Sequence, residues 1–242
     1  MAEITIIVPT LNEEGNVDLL LERIFATFAS GDLTIEVLFV DSASADDTCG
    51  RVSAWSGHKP VRLLSRDINT GLAGAVLAGA RNTEAPYVVV MDADLSHPPE
   101  SIPRLLAPVL AGDYDMVLGS RYVQGGSMPD WPATRKLSSR LATLPALLFC
   151  DVCDPLAGFF ALRRELLLSL SGPVPGFKVG LAVLAEYHRQ LRVFEVPIEF
   201  RDRDYGESKM NNQVVLQYLQ QLAGLAARRL RRRFDGTCRR SS

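Results

Sequence analysis

The stretch YVVVMDADLSHPPE, residues 87–100, decides the fold. Residues 87–91 form a short, β-branched, wholly apolar run, as a strand covered on both faces requires. The run stops at Asp92, and Pro98-Pro99-Glu100 opens a helix. The same order recurs on either side. Residues 4–8 end at Pro9 and lead into a helical pattern with Val17, Leu20, Leu21, Ile24 and Phe25. Residues 35–40 end at Asp41, with a helix start at Asp46-Asp47-Thr48. Residues 61–64 precede Asn69-Thr70-Gly71 and an Ala-rich helix through Arg81. Residues 116–118 run into Gly119-Ser120-Arg121.

This alternation predicts an α/β protein with a mostly parallel sheet sandwiched by helices. Ligands of such sheets bind beyond the carboxyl ends of the strands. Those ends carry Asn12 and Glu13, Asp41, Asn69, Asp92 and Asp94, and Arg121. Polar groups delivered to one edge by separate strands read as a site rather than as packing. Residues 122–160 are less regular, and Gly125-Gly126-Ser127 reads as a mobile loop. A late strand is expected over residues 193–200, a polar loop over 201–212, and a helix over 213–234. The expected division is a domain over 1–212 and a C-terminal amphipathic helix with an Arg-rich tail over 213–242.

The 242 residues are 47% apolar and 22% charged, which excludes a disordered chain and a small disulfide scaffold. A net charge of -2 argues against nucleic acid as a partner. The charge is unevenly spread, because seven Arg residues lie between Arg228 and Arg240, with Asp235 the one acid there. Cys150 and Cys153 form a lone C-x-x-C without a second pair, so the cysteines are read as small buried hydrophobes in a reducing cytoplasm, not as zinc ligands. No secretory signal is expected at the N-terminus, and no apolar run approaches the ~20 residues of a membrane span.

Neither G-x-G-x-x-G nor G-x-x-x-x-G-K-[ST] occurs, which removes the main support for dinucleotide oxidoreductases and P-loop enzymes. Asp92-Ala93-Asp94 takes their place. Two carboxylates one residue apart at a strand end aim hard oxygen ligands at one point, as Mg²⁺ or Mn²⁺ bound to a substrate diphosphate requires.

Taken together, PTLNEE, VDSASADDT, NTGL, VMDADLSHPPE, GSRY and DRDYGESK resemble the family 2 inverting glycosyltransferases, and among them the dolichol-phosphate (polyprenol-phosphate) mannose synthases. The resemblance covers most of residues 3–212. It implies a GT-A fold with a Rossmann-like nucleotide-binding half. It further implies transfer of a hexose, mannose from GDP-mannose, to a polyprenyl or dolichyl phosphate. By the same resemblance Pro9, Leu11, Glu13, Asp41 and Asn69 meet the nucleotide, with Ala93 between the acids. Asp92 and Asp94 hold the diphosphate through Mg²⁺ or Mn²⁺. Arg121, Lys178 and Arg203 contact the donor, and Arg121, Arg135, Ser139 and Lys209 the acceptor phosphate. Arg121 is counted with the two acids as catalytic. The chain departs from the family at Ser96, where Gln is usual for a group at the metal. It departs again at Leu156-Ala157, which replace two hydroxyl residues before Gly158-Phe159.

A phosphate acceptor suits a chain with few candidate bases, since its second pKa is near 6 and it is already anionic at pH 7. Asp154 would serve as base if the acceptor were a hydroxyl. The basic, amphipathic C-terminal helix suits peripheral contact with an anionic membrane on its cytoplasmic face, or packing on its own domain or a second copy of the chain. The alternatives are a family 2 enzyme with another nucleotide sugar or a non-lipid hydroxyl acceptor, and a non-catalytic nucleotide-binding or membrane-tethering module.

Overall fold

The computed structural model describes residues 2–29, 31, 33–69, 71–170, 174, 178–187, 190–202 and 212–238. Strands β1 (Ile4–Thr10), β2 (Ile35–Asp41), β3 (Val61–Ser65), β4 (Tyr87–Val90), β5 (Met116–Ser120), β6 (Phe160–Arg163) and β7 (Val193–Pro197) form one sheet in the order β3-β2-β1-β4-β6-β5-β7. All pairings are parallel except those of β6, which runs antiparallel to both neighbours. Helices α1 (Val17–Thr27), α2 (Thr48–Ser56), α3 (Gly71–Arg81), α4 (Ile102–Leu110), α5 (Ala133–Thr143), α6 (Arg164–Leu168), α7 (Val179–Tyr187) and α8 (Asn212–Cys238) complete the chain.

The period-2 alternation of the strands builds two cores. Ile7, Leu38, Val40, Val88 and Val90 face the layer of α3, α6, α7 and α8. Ile6, Val37, Phe39, Val89 and Met91 face that of α1 and α4. Both faces are therefore covered, as the unbroken apolar strands predict. Helix α3 lies very close to the sheet, because a Cβ on Gly79 would stand 2.7 Å from Ile7 Cγ2 and 3.1 Å from Val40 Cγ2.

Strand β6 is the element the sequence reading does not contain. Val90 and Leu118 both pair with Phe160, so β6 fills the space between β4 and β5. Its reversed direction brings its beginning, not its end, to the edge where β4 and β5 stop. The segment 154–159 thus enters the site from the opposite sense. Helices α5, α6 and α7 also went unassigned, since the irregular composition around Pro129, Pro132 and Pro145 hides α5. The late strand ends at Pro197 rather than at residue 200; beyond it, Glu199 makes an isolated bridge to Ser127. That bridge also corrects the loop reading, because Ser127 donates its N–H to Ile198 and accepts one from Phe200, at 3.0 and 2.9 Å.

Helix α8 packs on the domain by Gln221 and Leu225, both buried, with Tyr218, Leu222 and Ala226 beside them. Leu219, by contrast, is 53% exposed. Gln221 takes the inner position because its amide pairs with the Lys178 backbone, donating to the carbonyl at 2.8 Å and accepting the N–H at 3.3 Å. The cysteine reading holds for buried Cys150 and fails for Cys153, which is exposed. No helix among the described residues is long and apolar enough to cross a membrane.

Gly79→Ala would overpack the contact of α3 with β1 and β2. Urea unfolding should show a loss of about 1–3 kcal/mol; unchanged stability would mean that helix and sheet are not held at this separation.

Candidate active site

Three turns leave the carboxyl edge through a left-handed non-glycine residue: Asn12 after β1, Ala43 after β2 and Leu95 after β4, with φ of 56°, 61° and 61°. Such backbone costs roughly 1–3 kcal/mol per residue and collects at functional sites. In the first two turns Asp41 is the organiser. Its buried carboxylate accepts the Thr10 hydroxyl at 3.1 Å, the Ser44 N–H at 2.9 Å and the Ser44 hydroxyl at 2.5 Å. Asn12 completes the link by donating its N–H to Ser44 Oγ and accepting that of Ala45, both at 2.8 Å. Glu13 turns its carboxylate to the Asn16 amide, 2.8 Å away. Asn69 is exposed and accepts the Gly71 N–H at 2.9 Å, at the start of α3. Pro9 and Leu11 are half-buried on this same rim.

After β4, Asp94 is buried and accepts the Ser96 N–H at 3.1 Å, and Ser96 is buried with it. Asp92 remains one-third exposed, at 34% of its side chain. Ala93, between them, belongs to the core on the α1 and α4 face. Beneath Asp92 lies buried His97, whose Nδ1 accepts the Asp92 N–H at 3.2 Å. A neutral ring with Nδ1 accepting carries its proton on Nε2. Burial pushes the His97 pKa below its ordinary value, against the pull of Asp92 and Asp94. The ring stacks on Phe159 at 5.2 Å and meets Phe200 edge-on at 5.4 Å. It is a fixed strut under the D-x-D turn. Gly158 leaves room for this turn, since a Cβ there would stand 3.2 Å from His97 Cε1 and 3.4 Å from Asp92 Oδ2.

From β5, Arg121 forms a two-pronged pair with Asp154. Nε and Nη2 donate at 2.8 Å each, and the Arg121 N–H adds a third bond at 3.1 Å. Asp154 has no solvent exposure. Burial opposes the Arg121 charge, but Asp154 outweighs it and leaves the Arg121 pKa raised. Tyr122, Trp131 and Phe200 surround the guanidinium at 5.1, 5.9 and 5.5 Å. Lys178, just before α7, is half-buried among Arg121, Asp92 and Asp154. Burial, and then the Arg121 charge, bring its pKa down to about 8, against Asp92 and Asp154.

Helix α5 supplies the last part. Arg135 lies over Trp131 at 3.9 Å and bonds to Asp202 at 2.8 and 3.1 Å, while Trp131 donates to the same carboxylate at 2.9 Å. One turn on, Ser139 Oγ is 2.7 Å from the Tyr122 hydroxyl. Arg203 and Lys209 lie outside the described residues.

The structure therefore brings Asp92, Asp94, Ser96, Arg121 and Lys178 to one edge, with Arg135 and Ser139 alongside. Sequence reading did not single out His97, Trp131 or Asp202, and it gave Asp154 the wrong situation. Its carboxylate is locked under Arg121 and closed to solvent, so it is not an accessible base. The one available sign of this pairing was the position of Asp154 just before Gly158-Phe159. No group of three or more His, Cys, Asp and Glu among the described residues is arranged to hold a metal. Asp92 and Asp94 nonetheless suit Mg²⁺ or Mn²⁺, which keep few protein carboxylates and fill their shell with phosphate oxygens and water.

The model of the family described as Glycosyl transferase family 2 matches residues 5–170, and the chain belongs to that family. It is a glycosyltransferase. It is 36% identical to the dolichol-phosphate mannosyltransferase of Saccharomyces cerevisiae, over 92% of this chain and 86% of that one. It is 37% identical to the undecaprenyl-phosphate mannosyltransferase of Micrococcus luteus, over 92% of this chain and 94% of the other. The dolichol-phosphate mannosyltransferase of Pyrococcus furiosus is also 37% identical over 91% of this chain, which spans 62% of that longer protein. Among solved structures, glucosyl-3-phosphoglycerate synthase of Mycobacterium tuberculosis, in complex with Mn²⁺, UDP and glucosyl-3-phosphoglycerate, superposes with a TM-score of 0.70 at 25% identity. It covers 94% of this chain and 80% of its own, so the fold is GT-A.

If Lys178 meets the diphosphate of a nucleotide-sugar donor, the free enzyme should lose kcat/KM for that donor as pH rises through about 8, because Lys178 then gives up its charge. Lys178→Met should lower kcat/KM and flatten that limb. A limb that survives in Lys178→Met belongs to another group.

Proposed function

We propose that the chain moves a hexose from a nucleotide sugar to the phosphate of a polyprenyl phosphate, with inversion at the anomeric carbon and GDP-mannose as donor. Relatives named for dolichol or undecaprenyl phosphate and mannosyl transfer, at 36–37% identity over nine-tenths of the chain, support mannose as the sugar and a polyprenyl phosphate as the acceptor. The observation that carries the reading is the state of Asp154. A hydroxyl acceptor needs a base, and this carboxylate has both oxygens on Arg121. A phosphate monoester is already anionic at pH 7 and attacks without one.

In this reading Pro9, Leu11, Glu13, Asp41 and Asn69 frame the nucleoside. Asp92 and Asp94, with Ser96 behind them, would hold Mg²⁺ or Mn²⁺, which neutralises charge on the departing nucleoside diphosphate. Lys178 adds a cation on the donor side. Arg121 keeps its orientation through Asp154 and presents the outer edge of its guanidinium to the acceptor phosphate, with Arg135 and Ser139 further out. Arg203 and Lys209 are assigned to the donor and the acceptor phosphate by the same resemblance. The protein would work peripherally at the cytoplasmic face of an anionic membrane, where the lipid acceptor lies.

The test is transfer of label from GDP-mannose to polyprenyl phosphate, read in the organic phase. We expect Mn²⁺-dependent transfer, abolished by EDTA and by Asp94→Ala with the fold intact. Full activity in EDTA contradicts the metal assignment. Label found only in a water-soluble phosphorylated product contradicts the lipid acceptor.

A further inference from the structure

Arg121 and Arg135 meet their carboxylates in different ways. Arg121 spends Nε and Nη2 on the two oxygens of Asp154. Arg135 gives Asp202 only Nη1, at 2.8 Å to Oδ1 and 3.1 Å to Oδ2. Among the described residues its Nε and Nη2 make no hydrogen bond, so the two-pronged edge that matches a phosphate stays open. Two contacts fix the plane of that edge. The guanidinium lies over the Trp131 ring at 3.9 Å, and Trp131 Nε1 donates at 2.9 Å to the same Asp202 oxygen, Oδ1. Trp131, Asp202 and Arg135 thus close a triangle in which each touches the other two.

The triangle is itself anchored. Asp202 donates its N–H to Asp130 Oδ2 at 3.2 Å, and the Phe200 N–H reaches the Ser127 carbonyl at 2.9 Å. The Phe200 ring stands edge-on to Trp131 at 5.5 Å. Trp131 is buried, whereas Arg135 and Asp202 keep 41 and 43% of their side chains in solvent. An ion pair this exposed adds little to stability. Arg135 is also the third residue of α5, where a cation opposes the helix dipole and no acid offsets it. The arrangement therefore does little to hold the fold, and its sense lies in what the open edge can receive.

We propose that Trp131 and Asp202 are positioning residues that hold Arg135 with its Nε and Nη2 edge ready for a phosphate monoester. Arg135 then takes the acceptor phosphate in two-pronged fashion, while Arg121, whose own fork is spent on Asp154, adds a single contact through Nη1. An arginine free to rotate loses side-chain entropy when an anion orders it; one already stacked and bonded has little left to lose. The two carboxylates divide the work: Asp154 closes the fork of Arg121, and Asp202 leaves that of Arg135 open. The proposal deepens the reading above and rests on it for the phosphate acceptor.

The test is calorimetric titration of the full chain with geranyl phosphate, a short soluble prenyl monophosphate, and with inorganic phosphate. Asp202→Ala should weaken geranyl phosphate binding about two- to tenfold, the range expected when one arginine must be ordered on binding. Asp202→Asn, whose amide oxygen still accepts from Trp131 and Arg135, should recover most of that loss, at an unchanged melting temperature. In an Arg135→Lys background, which has no fork to hold, Asp202→Ala should add nothing further. Inorganic phosphate should follow the same order, since the fork reads the phosphate and not the prenyl chain. Tighter binding by Asp202→Ala overturns the proposal, because Asp202 would then compete for Arg135 rather than aim it. A loss that persists in full in the Arg135→Lys background also overturns it, because Asp202 would then act on the fold and not through Arg135. A wild type that binds neither ligand defeats the acceptor reading and this assignment with it. A wild type that binds both, with Asp202→Ala binding equally well, defeats the assignment alone.

Discussion

The Arg121–Asp154 pair is the interaction on which the edge of the sheet depends. Arg121 directly follows β5, Asp154 precedes β6, and the Cys153 and Asp154 N–H groups are both held by Glu195 of β7, at 2.6 and 2.9 Å. One buried carboxylate thus ties together two strands and the loop between them. Removing two charges from water is costly, and the pair survives because its geometry is two-pronged and the Arg121 N–H adds a third bond to the same carboxylate. A guanidinium fixed in this way needs no reorganisation when an anion arrives, which is how a site stabilises developing charge.

The pair also sets the charge balance of its neighbours. Lys178 lies close to Arg121 and would be repelled outright without Asp92 and Asp154 nearby. His97 stays neutral because it is buried, so it supports Asp92 through a backbone hydrogen bond without adding a third cation. The site is thus built as one partly exposed carboxylate, Asp92, a buried one beside it, Asp94, two basic side chains, and the Asp154 carboxylate turned inward. That division sets Asp92, which is partly exposed, apart from Asp154, whose carboxylate is inaccessible and structural.

Much of this was legible in the sequence, for definite reasons. The parallel strands are continuous apolar runs that end on polar residues, so β1 to β5 and the edge they share follow from pattern alone. Asp92, Asp94 and Arg121 stand directly at those ends. What the pattern could not show is β6, whose FALR is too short and too ordinary to announce a strand. Without it, Asp154 and Gly158 had no place beside Asp92 and Arg121, and Asp154 read as a spare base. Gln221 was equally hidden, since a glutamine on the inner face of α8 is stable only through its bonds to the Lys178 backbone, a contact across 43 residues of chain. Helix α5 was missed because its buried side is polar and its apolar side faces out, the reverse of the pattern by which helices are recognised.

Equilibrium urea unfolding of Asp154→Ala tests the central claim most directly. Removing one partner of a fully buried ion pair leaves an uncompensated charge, so stability should fall by about 3–5 kcal/mol. Stability within experimental error of wild type would contradict the account, because Arg121 would then hold its place, and the edge its shape, without the carboxylate.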